Sequence, residues 1–128
     1  MMDLYREEIL EHWRNPNNFG KLNNADLVIR QVNSLCGDEV RFYIKLSQKP
    51  KVKSQKQIVD VRFEGVGCAI SIASSSILSE KIKGKSIKEI NKLTSEKVLD
   101  LVGGKISPAR LKCVLLPLEA IKKLKIKY

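Results

Sequence analysis

Three cysteines and one aspartate are the residues of this 128-residue chain whose types could do chemistry: Cys36, Cys68 and Cys113, with Asp38 two positions after the first. Three thiols cannot all pair within one chain. Spaced 32 and 45 residues apart without a C-x-x-C pair, they fit neither a zinc ribbon or finger nor a thioredoxin-like site. A single Cys is ordinarily a small buried hydrophobe, but the neighbours of these three point elsewhere. Ser34-Leu35-Cys36-Gly37-Asp38-Glu39 and Gly65-Val66-Gly67-Cys68-Ala69 set glycines beside two thiols, as a ligand loop with positive φ or close backbone approach requires. Pro108-Ala109-Arg110-Leu111-Lys112-Cys113 sets two cations beside the third, and these should favour its ionised form. Cys68 also opens an apparent helix, whose first N–H groups favour a thiolate. Across Gly37 the carboxylate of Asp38 can point to the same centre, giving three sulfurs and one oxygen; taken alone, Asp38 reads equally well as a strand-entry turn residue. Thiolates suit Zn²⁺ or iron rather than Mg²⁺ or Ca²⁺.

The elements that must position these residues follow from periodicity and punctuation. A helix over Asp3 to Trp13 places Tyr5, Ile9 and Trp13 on one face and stops before Pro16. Strands are expected over Leu27 to Val32, Val40 to Leu46 and Ile58 to Phe63, with Cys36-Gly37-Asp38 joining the first two and a polar Lys-rich loop, Ser47 to Lys56, joining the last two. After Gly65-Val66-Gly67 the period changes. Ala69 to Lys83 reads as a helix with Ile70, Ala73, Ile77 and Glu80 at helical steps, ended by Gly84, and its small residues suggest close packing on the sheet. Ser86 and Thr94 read as N-caps of short helices over Ile87 to Lys92 and Ser95 to Val102. Ser107-Pro108 starts another helical turn, and Leu115 to Ile126 forms the last helix, with Pro117 in its first turn. The order predicts an α+β fold, a three-stranded antiparallel sheet with an N-terminal helix and a C-terminal group of helices, as one domain over residues 1–128. The three cysteines could then meet at one end of the sheet.

Composition bounds the function. With 43% hydrophobic residues the chain should fold as an ordinary globular unit. Its longest apolar stretches fall far short of a membrane span. The acidic N-terminus (Asp3, Glu7, Glu8, Glu11) is neither a signal nor a transit peptide, so a cytoplasmic location is expected and no membrane partner is. The net charge of +10 is uneven: residues 1–40 carry four basic and seven acidic side chains, residues 41–128 twenty and seven. Since 18 of the 24 basic residues are Lys and no Arg-rich run or aromatic-interleaved basic helix occurs, nucleic acid is not the expected partner. His12, the one His, reads as a packing or surface residue rather than a ligand.

At these residues the sequence resembles the NifU/IscU/SufU family of iron–sulfur cluster assembly scaffolds. The resemblance runs through Tyr5-Arg6-Glu7-Glu8-Ile9-Leu10-Glu11-His12, Asn15-Pro16-Asn17-Asn18-Phe19-Gly20, Leu35-Cys36-Gly37-Asp38, Phe63-Glu64-Gly65-Val66-Gly67-Cys68-Ala69-Ile70-Ser71-Ile72-Ala73-Ser74-Ser75-Ser76, and Ser107 to Cys113. It implies a SufE/NifU-like fold and Cys36, Asp38, Cys68 and Cys113 as ligands of a transient [2Fe–2S] cluster, or of Zn²⁺ or Fe²⁺ when no cluster is present. It also implies a cysteine desulfurase delivering persulfide to one of the thiols, with Cys36 and Cys113 as candidate acceptors, and apo iron–sulfur or carrier proteins as recipients. Whether the cluster-bearing form is a homodimer stays open.

Two departures sharpen the resemblance. Many family members carry His before the last Cys, where this chain has Lys112, either a replacement cation for Cys113 or an exposed Lys. The Leu-Pro-Pro-Val-Lys chaperone segment of the IscU branch is not reproduced over Ile106 to Lys112, which leaves chaperone dependence open. Ser-Pro-Ala-Arg-x-Lys-Cys looks more like the SufU branch of zinc-dependent sulfurtransferases, with Arg110 as a candidate desulfurase contact. The step from Cys68 to Cys113 is nevertheless short for the insertion typical of that branch. A scaffold is the leading expectation, a sulfurtransferase the alternative, and a basic nucleic-acid module a third.

Overall fold

The computed structural model describes residues 2–34, 37–49, 51–52, 55–102 and 108–124, with backbone alone for residues 2–6 and 109. Helix α1 (Met2–Arg14) precedes strands β1 (Leu27–Asn33), β2 (Asp38–Leu46) and β3 (Ile58–Val66). Helices α2 (Ala69–Ile82), α3 (Ile87–Asn91), α4 (Ser95–Val102) and α5 (Leu111–Lys122) follow, the last entered through a 3-10 turn at Pro108–Arg110. The sheet order is β1-β2-β3, both pairings antiparallel, so the expected α+β architecture is the observed one. β2 alternates as a half-covered central strand must: Val40, Phe42, Ile44 and Leu46 are buried, while Glu39, Arg41 and Lys45 take the other face. α2 and α5 close the buried face. The open face keeps exposed Val28 and Val66 beside a bidentate Arg30–Glu39 pair, with both contacts at 2.9 Å, which at this exposure aligns strands more than it stabilises them.

Helix starts follow their caps. Ser86 and Glu89 form a reciprocal capping box on α3, and the Thr94 hydroxyl accepts from the Lys97 amide at the start of α4. α2 departs from a one-faced helix. Ile70 and Ile77 are half-buried, whereas Ser71, Ser74, Ser75, Ser76 and Ser79 are buried. The physical reason is its position: α2 lies between α1 and α5 as well as against β3, so nearly every side is covered and small side chains are needed all round. Each buried hydroxyl then needs a partner. Ser74 donates to the Val114 carbonyl of α5 at 2.7 Å, Ser75 to the Ser71 carbonyl and Ser79 to the Ser76 carbonyl. Ser76 Oγ takes the Asn17 amide and lies 2.8 Å from His12 Nδ1, so the half-buried His12 ring packs against α2. On α1 the inward face is therefore Ile9 and His12. Trp13, expected inward with Tyr5 and Ile9, is 46% exposed, and the Tyr5 side chain lies outside the described residues.

The largest correction concerns α5, which begins at Leu111 instead of Leu115. Pro117 is consequently a mid-helix residue that cannot donate to the carbonyl of Cys113, four residues back. The Ser74 hydroxyl on the adjoining carbonyl of Val114 ties the interrupted stretch to α2. Ser74→Ala should lower unfolding free energy by about 0.5–1.5 kcal/mol, the net worth of one buried hydrogen bond between the two helices. Urea unfolding followed by circular dichroism measures it.

Candidate metal centre

The register of β2 on β3 determines where Asp38 sits. Glu39 pairs with Val66, so one further step along the ladder sets Asp38, the first residue of β2, opposite Gly67. Gly67 has φ +139°, and a Cβ there would lie 2.1 Å from Asp38 Oδ1. Only glycine provides both the backbone conformation and the space. The chain then turns into α2 with Cys68 as its N-cap residue. The Cys68 amide donates to Asp38 Oδ1 at 3.1 Å, and its thiol donates to Asp38 Oδ2 at 3.7 Å. Cys113 arrives from a third direction in the first turn of α5, which packs on α2, β1 and β2. The carboxylate of Asp38 and the sulfurs of Cys68 and Cys113 all lie within 4.8 Å of one another. Cys36 lies outside the described residues. Of the expected ligand set, the structure thus brings together three members from three separate elements.

Asp38 is 2% exposed, and among the described residues no Lys or Arg forms an ion pair with it. A buried, acceptor-only carboxylate faced by two sulfur donors is a poor neutral packing element and a good cation ligand. Burial, followed by hydrogen bonding and charge repulsion from Cys68 and Asp38, pushes the Cys113 thiol well above the usual thiol range. This overturns the expectation that Arg110 and Lys112 hold Cys113 ionised. Both cations are exposed while Cys113 is buried, so solvent rather than the sulfur receives their field. An ion with two or more positive charges can displace the Cys113 proton. Ser71 did not stand out as a site residue in the sequence. The available signal was a Ser one helical turn after a helix-opening Cys; its hydroxyl proves to be 3.9 Å from Cys68 Sγ.

A small α+β domain whose sheet end and two helix starts converge on one carboxylate and two thiols defines a class of metal-handling proteins. Residues 4–128 match the family model described as the NifU-like N-terminal domain, and the chain belongs to that family. It is 34% identical over 125 residues to the iron–sulfur cluster assembly scaffold protein IscU 1 of Archaeoglobus fulgidus, covering 98% of this chain and 76% of that protein. The zinc-dependent sulfurtransferase SufU of Bacillus subtilis is 35% identical, covering 94% and 88% of the two chains. That alignment spans 139 positions against the 128 residues of this chain, so the relative carries extra residues within the match. Among solved structures, an iron–sulfur cluster assembly scaffold protein for the SUF system from Fervidobacterium islandicum superposes with a TM-score of 0.74 at 32% identity, covering 91% and 92% of the chains.

Two outcomes follow from the geometry. Gly67→Ala should displace the Asp38 carboxylate, weakening zinc affinity roughly tenfold or more and stability by about 1–3 kcal/mol, read by competition with a chromophoric chelator and by urea unfolding. The raised Cys113 thiol has a definite sign: its proton is held more tightly folded than unfolded. Its contribution is therefore complete below about pH 8.5 and declines as pH rises above that. Between pH 7 and pH 10 the metal-free wild type should lose more stability than metal-free Cys113→Ser.

Proposed function

We propose that this chain is a scaffold for iron–sulfur cluster assembly, with Cys36, Asp38, Cys68 and Cys113 holding a transient [2Fe–2S] cluster as cargo and Zn²⁺ or iron when no cluster is present. The observation that carries the reading is the convergence of the Asp38 carboxylate and the Cys68 and Cys113 sulfurs within 4.8 Å. The family membership and the scaffold relatives support it. Sulfur arrives as persulfide from a cysteine desulfurase by thiolate attack on sulfur, which requires an ionised and reachable acceptor. Cys36 and Cys113 are the acceptor candidates. Cys113 is 5% exposed, so transfer onto it requires a docked partner to open the start of α5. Exposed Arg110 is suited to contact that desulfurase, and Lys112 to follow the sulfur once Cys113 is uncovered. The recipients are apo iron–sulfur or carrier proteins of the cytoplasm. Among the described residues no helix is long and apolar enough to cross a membrane.

Asp38 gives such a scaffold its release step. A carboxylate is a harder and less covalent iron ligand than a fourth thiolate, so the cluster it completes is easier to surrender. In anaerobic reconstitution with iron, cysteine and a desulfurase, the wild type should develop a [2Fe–2S] spectrum and pass the cluster to an apo-ferredoxin. Asp38→Ala should retain the cluster longer, and a transfer rate equal to wild type would count against this role. The Bacillus subtilis relative and the Arg110-Leu111-Lys112-Cys113 segment favour a second reading, a sulfurtransferase with tightly held zinc. It requires the opposite result: zinc retained, no cluster formed, and desulfurase turnover strongly stimulated.

A further inference from the structure

We propose that Ser71 is a positioning residue for Cys68, a hydroxyl that reverses its hydrogen bond when the Cys68 sulfur takes a cation, and so weakens that sulfur as a donor. The inference rests on the reading above that Cys68 is a ligand, and goes beyond it in naming what tunes the ligand. Ser71 is buried in the first turn of α2, one turn past Cys68. Its hydroxyl donates to the Cys68 carbonyl at 3.0 Å, while its Oγ lies 3.9 Å from Cys68 Sγ on the accepting side of the thiol. The Ser75 hydroxyl donates to the Ser71 carbonyl at 2.8 Å and holds that turn in place.

A serine bonding back to a carbonyl three or four residues earlier is common in helices, and Ser75 and Ser79 do the same here. Ser71 differs in having a sulfur within reach as well. With the Cys68 thiol protonated, its single hydrogen has two acceptors within reach, Asp38 Oδ2 at 3.7 Å and Ser71 Oγ at 3.9 Å. When a cation displaces that proton, the sulfur becomes an acceptor and Asp38 turns to the cation. Ser71 is then a neutral donor beside a newly charged sulfur, and its hydrogen gains more there than on a peptide carbonyl. A hydrogen bond donated to a metal-bound thiolate withdraws electron density from sulfur, which loosens the bond to the metal. For a protein that must hold its cargo and then surrender it, a hydroxyl that engages only the loaded state complements the weak carboxylate ligand.

The experiment uses Co²⁺ on the full chain, whose thiolate-to-cobalt charge-transfer band reports sulfur donor strength. Wild type should bind Co²⁺ with such a band. Ser71→Ala should shift the band to longer wavelength and release Co²⁺ to excess chelator roughly tenfold more slowly, the low end of what a hydrogen bond to a charged acceptor is worth. Ser71→Thr, which keeps the hydroxyl, should match wild type. Should Ser71→Ala fail to fold, the isosteric pair Ser71→Thr and Ser71→Val makes the same comparison. A purely structural serine would change thermal stability and leave band and release rate where they were; that result, in variants that bind cobalt, overturns the proposal. Absence of a thiolate–cobalt band in the wild type itself overturns the ligand reading, and the role of Ser71 with it.

Discussion

The close approach of Asp38 to Gly67 is the contact on which the site depends. An antiparallel ladder ending in Glu39↔Val66 brings the two residues opposite each other, and the missing Cβ lets the carboxylate lie over the backbone where strand becomes helix. From there the Cys68 amide, one of the orphan donors of a helix start, is satisfied by the side chain of another element. One hydrogen bond thus caps α2, orients the carboxylate and sets the distance between two prospective ligands. A shift of β2 by one residue would turn Asp38 to the open face.

The rest of the fold serves to bring the third group to that point. α5 must cross close to α2 for Cys113 to reach Asp38 and Cys68, and close crossing requires small side chains on α2. The run Ser71 to Ser76 supplies them, and its hydroxyls find carbonyls or donors so that burial leaves them satisfied. Pro117 interrupts the hydrogen bonding of α5 just beyond Cys113, and Ser74 anchors the next carbonyl to α2. The segment bearing Cys113 is therefore held by packing and by a cross-helix bond as much as by its own helical ladder. Burial there favours the protonated form of the Cys113 thiol.

Much of this was legible in the chain. The glycines beside Cys68, the alternation of the three strands and the change of period after Gly67 pointed to Asp38 and Cys68 as neighbours, to the strand order and to the helix that Cys68 opens, because glycine conformation, alternation and capping act within a few residues. The start of α5 was misread because proline is best tolerated in a first turn, and only the contacts of Ser74 and of the neighbouring strands stabilise a helix that runs through Pro117. Trp13 was misplaced for a related reason: spacing defines a helix face, but the neighbour decides which face is covered, and α2 meets α1 through Ile9 and His12.

By itself the sequence determined which groups could bind a cation and which elements carry them, since donor chemistry and local backbone preference belong to the residues. The tertiary structure decided that Asp38, Cys68 and Cys113 converge, that Arg110 and Lys112 remain in solvent, and that Ser71 lies beside a sulfur. Those facts depend on register, helix crossing and burial, which arise between segments distant in sequence and are set by packing of the whole core.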